Sequence, residues 1–154
     1  MSNTYQIEKL ADVLEEMKPI LQKHWEEVAL YKDQIALNPD YDKYQSLEEM
    51  GALRIATVRS GGKLIGYFIS MINPHLHYQD HLYAINDILY LEESFRGADV
   101  ALELFLFAEE DLKSLGVDVL IIAMKTAKPF DALCEALGHS NVERVYSKFI
   151  GEKK

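Results

Sequence analysis

The feature that most restricts this chain is the apolar run Val117-Asp118-Val119-Leu120-Ile121-Ile122-Ala123-Met124, which follows a helical pattern from about Val100 to Leu115 that stops at Gly116. A second strand pattern, Leu82 to Leu91, stands on the other side of that helix. Strand, helix and strand in this order call for parallel pairing through a right-handed crossover. Part of the sheet must therefore be parallel, and the rest of the chain has to be arranged around that unit.

Upstream, Tyr5 to Lys9 alternates weakly as a short first strand, and Leu10, Val13, Leu14, Met17, Leu21, Trp25 and Val28 recur at helical spacing. Pro19 falls inside that helix, where its ring and missing N–H should kink or divide it. Asn38-Pro39-Asp40 reads as a loop capping a second helix, Tyr41 to Met50, closed by Gly51. Leu53 to Val58, the turn Ser60-Gly61-Gly62-Lys63 and Leu64 to Ile72 form a β-hairpin. Asn73-Pro74 should break the second strand, with the polar tract His75 to His81 as a loop before the Leu82 strand. Near the C-terminus, Pro129 to Leu137 reads as a short helix ended by Gly138, and Val142 to Ile150 as a last strand. The expected fold is α/β (α+β), a mixed and mostly antiparallel sheet with helices on both faces, in one domain spanning residues 1–154.

Composition removes several classes of function. The net charge is −9 and the basic residues are scattered, which is not the footprint of a nucleic-acid binder. No apolar stretch approaches the roughly 20 residues that span a bilayer, and Met1-Ser2-Asn3-Thr4 does not begin a signal peptide. A cytoplasmic location with no membrane partner is the expectation. Cys134 is the only cysteine, so no internal disulfide or Cys-based zinc site can form. Pro74-His75-Leu76-His77-Tyr78-Gln79-Asp80-His81 holds three histidines, but they would converge only in a sharply folded loop. No metal site is expected; the tract is read as a solvated loop or the rim of an acceptor site.

The element order, together with Leu89-Tyr90-Leu91-Glu92-Glu93-Ser94-Phe95-Arg96-Gly97-Ala98-Asp99-Val100-Ala101, resembles the GNAT acetyltransferases. Arg96, Gly97 and Ala101 fit that family's Gln/Arg-x-x-Gly-x-Gly/Ala coenzyme motif, while Asp99 stands where its central glycine is preferred. The resemblance implies acetyl-CoA as co-substrate, its pyrophosphate at the helix start formed by Arg96, Gly97, Ala98, Asp99, Val100 and Ala101. It also implies that its pantetheine arm runs along the backbone of Leu89 and Leu91. Helix N-termini suit anions because their first N–H groups are unpaired. Phe130 to His139 resembles the family's later helix, with Cys134 where a proton-donating tyrosine is usual and Ala127 where an asparagine often stands. Cys134, with a thiol pKa near 8.5 when unperturbed, is read as a proton donor or as a small buried hydrophobe, the second being favoured. Segments around His24-Trp25-Glu26-Glu27, Pro74 to Tyr78 and Asn86-Asp87 also look like GNAT-type proteins of bacteriophages and prophages.

Acyl transfer to an amine needs a proton acceptor and donors for the thioester carbonyl. Alternation along Leu82 to Leu89 puts Tyr83, Ile85, Asp87 and Leu89 on one face, and Asn86, Ile88 and Tyr90 on the other. A carboxylate inside an apolar strand must be paired or reach a cleft, so Asp87 is either the base or a structural carboxylate, with Asn86 in a structural role. Tyr146 on the last strand is a further candidate proton donor or a packing residue. Tyr31, Tyr41, Tyr44 and Tyr78 line an acceptor cleft or simply pack, and Trp25 is assigned to the core. Two functions stand: an N-acetyltransferase acting on an amine of a small molecule or a protein, or a GNAT-shaped binding or assembly module without turnover. Use of a different acyl-CoA is a third option, and a homodimer is left open.

Overall fold

The computed structural model describes residues 2–97 and 99–152. Its elements are β1 (Asn3–Ile7), α1 (Leu10–Val28), α2 (Tyr41–Glu49), β2 (Leu53–Ser60), β3 (Lys63–His75), β4 (Tyr78–Leu91), a 3-10 turn (Glu93–Phe95), α3 (Asp99–Ser114), β5 (Val117–Ile121) and α4 (Asp131–Ala136). The strands form one sheet in sequence order, antiparallel except for β4 and β5, which run parallel. This is the mixed, mostly antiparallel α/β arrangement expected of the sequence.

Leu10, Val13, Met17 and Leu21 make one buried stripe on α1 and pack with Leu53, Ile55, Tyr67, Ile69 and Tyr90 on one face of the sheet. Val100, Leu104, Phe105 and Ala108 of α3 pack with Ala56, Val58, Ile65 and Phe68 on the other. Fully burying each such side chain is worth about 1.5–3 kcal/mol, so the two helices are held by the sheet more than by their own propensity. Phe68 meets Phe105 edge-on at 5.2 Å, and Arg54 of β2 grips Asp111 of α3 through two bonds of 2.7 and 2.8 Å. These contacts fix α3, and hence its N-terminus, against β3 and β2.

Arg59 forks two carboxylates at once, Glu8 at 3.0 and 3.1 Å and Glu16 at 2.9 and 2.8 Å. Burial pushes the Glu8 carboxyl up, but hydrogen bonds from Arg59 and Thr57 outweigh it and hold Glu8 below the usual range. The hydrogen bond from Arg59 also holds Glu16 low. Folded values below unfolded ones mean stability that is present above the unfolded glutamate pKa of about 4.3 and is lost as pH falls through the folded values. Urea denaturation should therefore show a midpoint that declines below about pH 5, with a shallower decline in Arg59→Leu.

Several expectations need correction. Pro19 does not divide α1, which is one helix; it lies on the solvent face, where water can satisfy the Glu15 carbonyl it strands. Pro74 does not end β3 and His75 to His81 is not a long loop: β3 runs to His75, Leu76-His77 make the turn, and Tyr78 begins β4. Proline is tolerated there because β2 pairs β3 only from Met71 inward, and a register shift falls between Pro74 and His75. β5 stops at Ile121, short of the expected Met124. Val142 to Ile150 forms no strand; residues 139–150 hold no helix or strand, and Tyr146 is 88% exposed. Trp25 is half-buried, and its neighbour His24 points inward instead, against Tyr90 at 5.3 Å. Among the described residues no helix is long and apolar enough to cross a membrane.

Candidate active site

The parallel pair β4–β5 opens partway along its length. Pairing runs from Leu82↔Val117 to Ile85↔Ile121 and stops there, while β4 continues to Leu91 against β3. The cause lies in β4: Ile69 pairs Ile88 and Ser70 pairs Asn86, so Asp87 is an extra residue, a β-bulge that bends the strand away from β5. Asn86 spans the opening, donating from Nδ2 to the Ala123 carbonyl at 2.9 Å and accepting from the Ala123 N–H at 2.6 Å. A side-chain amide thus replaces one rung of the backbone ladder, and beyond it the β5 side of Ile88 to Leu91 meets no strand among the described residues.

The bulge also breaks the alternation expected for β4. Ile88 and Tyr90 pack with the α1–α2 core and Leu89 and Leu91 with the α3 core, but Asp87 turns to the α1–α2 side, where it accepts a hydrogen bond from the Tyr44 hydroxyl. Asp87 therefore does not share a face with Leu89. Burial, and then the bond to Asp87, push the Tyr44 hydroxyl well above its ordinary range, so it remains a donor at neutral pH. Tyr44 on α2 fixes one carboxylate oxygen of an exposed Asp87 and leaves the other facing outward.

At the far end of β4, Gly66 on β3 lets the chain come close. A Cβ there would lie 2.8 Å from the Tyr90 carbonyl oxygen and 2.9 Å from Leu91 Cδ1. The chain then turns through the 3-10 segment and Gly97, which has φ +81, into α3. Arg96 does not reach outward from this bend: Nε donates to the Leu91 carbonyl at 2.6 Å, an Nη meets Glu27 of α1 at 3.1 Å, and the guanidinium sits 5.4 Å from the Tyr90 ring. Its evident work is to hold the bend. Asp99 begins α3 exposed and Val100 is buried beneath it. Ala98, also expected at this site, lies outside the described residues.

The other expected residues are dispersed. Cys134 is buried in α4, and burial, then Asp131 and Glu135, push its thiol up. Tyr146 lies on the exposed C-terminal segment. Tyr31, the one non-glycine residue with positive φ among those described, bonds Ser147 at 2.8 Å. His75 and Tyr83 meet at 4.5 Å with their rings tilted by 45° beside the β3–β4 turn, and no group of three or more potential ligands able to hold a metal occurs among the described residues. Sequence reading missed the clasp made by Asn86 and the partnership of Glu27 with Arg96. A polar pair, Asn86-Asp87, inside an apolar strand was the available signal for a bulge.

No family model matches the sequence, and no curated protein matches it. Solved structures do resemble the chain in fold. Ribosomal-protein-alanine N-acetyltransferase from Brucella melitensis biovar Abortus 2308 has a TM-score of 0.71 at 18% identity, covering 97% of this chain and 100% of that one. Glucosamine-6-phosphate N-acetyltransferase from Arabidopsis thaliana has a TM-score of 0.74 at 15% identity, covering 98% and 100%. A predicted acetyltransferase from Clostridium acetobutylicum with acetyl-CoA gives 0.70 at 11% identity, covering 97% of each. The chain has the GNAT fold, and these three neighbours in structure are acetyltransferases.

Proposed function

We propose that the chain is an acetyl-CoA-dependent N-acetyltransferase that transfers the acetyl group directly to an amine. The observation that supports this most is the opened β4–β5 pair, bulged at Asp87, clasped by Asn86 and leading into the α3 N-terminus. A pantetheine arm suits the unpaired side of Leu89 and Leu91, and a pyrophosphate suits the first amides of α3 around Gly97, Asp99, Val100 and Ala101. Bound there, acetyl-CoA would supply an acetyl group already activated as a thioester. Asp87, steadied by Tyr44, takes the proton of the attacking amine directly or through one water. Cys134 keeps a packing role and the departing thiolate draws its proton from solvent, since Tyr146 stands on the exposed segment.

The acceptor is an amine on a small molecule or a protein; a chain of net charge −9 favours the approach of cations. The resemblance to phage and prophage proteins supports a viral setting inside a bacterial cytoplasm for this activity. Release of free thiol from acetyl-CoA, followed with panels of small amines and amine-bearing proteins, tests the proposal: turnover with any acceptor supports it, and its absence across the panels speaks for the second reading. That reading, a non-catalytic binding or assembly module, is favoured by the inward engagement of Arg96 with Leu91 and Glu27 and by the carboxylate of Asp99 at the helix start.

Asp99 yields its own prediction. A negative side chain in the first turn stabilises α3 but repels a phosphate at the same place. Asp99→Gly should tighten acetyl-CoA binding severalfold by calorimetry, with slightly lower thermal stability; unchanged affinity would mean that the carboxylate points away from the phosphates.

A further inference from the structure

We infer, taking the proposed acetyl transfer as given, that its acceptor is an amine carried on a small aromatic body, and that a cleft of about 370 Å³ between Asp87 and the β3–β4 turn holds that body. Met71 and Ile121 both pair Ile85, and Asn73 pairs Tyr83, so these side chains share one face of the sheet. Met71 and Ile88 mark the margin of the α1–α2 core on that face. Toward the turn the lining of the cleft comes from β3, β4, β5 and the turn itself, with no helix residue among those described. On the opposite face the same stretch is sealed, with Ile72 and Ala84 buried against Leu112 of α3. Ile85 is nevertheless 40% exposed in the middle of three strands, a place where an isoleucine is ordinarily buried.

The bulge turns Asp87 to this same face, so the carboxylate stands at the inner end of an apolar floor of Ile85, Met71 and Ile121. The outer end is aromatic: Tyr83 meets His75 at 4.5 Å, and the Tyr78 ring lies within 13° of parallel to Tyr83 at 6.4 Å. From Asp87 to Tyr83 the strand advances roughly 10–13 Å at about 3.3 Å per residue. That span suits a nitrogen and a ring joined by a short chain. With the amine hydrogen-bonded at Asp87, the body lies over Ile85 and Met71 and its edge meets Tyr83. The lining also selects against other acceptors. A phosphate would need lysine or arginine and a second ammonium a further carboxylate, and the lining contains none of these. An apolar floor, an aromatic wall and a few neutral polar groups make up the usual small-molecule pocket.

Acetyl transfer to 2-phenylethylamine, ethylamine and spermidine, measured on the wild-type chain and on Tyr83→Ala, Tyr83→Phe and Ile85→Asp, tests this. The kcat/KM for 2-phenylethylamine should exceed that for ethylamine by about tenfold or more, most of it in KM. Tyr83→Ala and Ile85→Asp should erase that preference and Tyr83→Phe should keep it, while Ile85→Asp, by adding a carboxylate, should shift use toward spermidine. Far-UV circular dichroism close to wild type in each variant checks that the sheet is intact. Saturation-transfer NMR of 2-phenylethylamine reads the cleft without turnover: a chain that acetylates nothing, yet binds this amine and loses it in Tyr83→Ala, supports the cleft and ends the proposed activity. A preference below about tenfold, a preference that survives Tyr83→Ala or Ile85→Asp, or no binding of 2-phenylethylamine overturns the inference. Turnover of any other amine in that case leaves acetyl transfer standing. A second chain seated on the cleft, seen by light scattering as a dimer that Ile85→Asp dissociates, overturns it as well.

Discussion

Asp87→Asn is expected to lower turnover by about 10²-fold or more while leaving acetyl-CoA affinity and thermal stability close to wild type. The substitution keeps shape, and an asparagine oxygen can still accept from the Tyr44 hydroxyl, so the bulge should survive. What it removes is the ability of the outward-facing oxygen to take a proton from the amine. Steady-state kinetics with a reactive acceptor, combined with calorimetry for the coenzyme, separates the two effects. Equal turnover in the variant would remove Asp87 as base and leave it as the carboxylate that anchors α2 to β4. With Asp87 as the base, Tyr44→Phe should lower turnover as Asp87→Asn does but less strongly, because it frees the carboxylate without removing it.

Phe68→Ala should cost about 3–5 kcal/mol and lower the melting temperature by roughly 10 °C. Phe68 is fully buried at the centre of the sheet, and its edge-on contact with Phe105 is one of the points at which α3 is seated. A cavity there loosens the helix whose first turn is proposed to receive the pyrophosphate, so coenzyme affinity should fall along with stability. Chemical denaturation checks the first effect and calorimetry the second. A large loss of stability with unchanged affinity would show that the α3 N-terminus is held by Arg54–Asp111 and the Gly97 bend without help from this contact.

Much of the fold was legible because its elements are local. The stripe Leu10, Val13, Met17, Leu21 and the stops at Gly51, Gly116 and Gly138, all at positive φ, mark helices and their ends without reference to anything distant. The parallel unit was legible because a helix between two strands leaves few alternatives. What escaped depended on tertiary context. Pro74 reads as a breaker in isolation and is harmless only because β2 has already ended beside it. The bulge at Asp87 is a mismatch in counting between two strands, visible only when both are paired, and it reversed the face assigned to Asp87. Arg96 was read as a coenzyme residue because of its place in a motif; its partners Leu91 and Glu27 come from a bend and from α1, which sequence spacing does not bring together. Val142 to Ile150 has the residues of a strand, but a strand needs a neighbour, and among the described residues it has none.

The central claim is that the gap beside Asn86 and the α3 N-terminus together form a coenzyme site. Titrating acetyl-CoA into the chain by calorimetry, with a thermal melt of the same mixture, measures it directly. The account predicts saturable binding at one site per chain and, at about 100 times the dissociation constant, a melting temperature raised by about 5 °C or more. No heat of binding and no shift in the melt would contradict it.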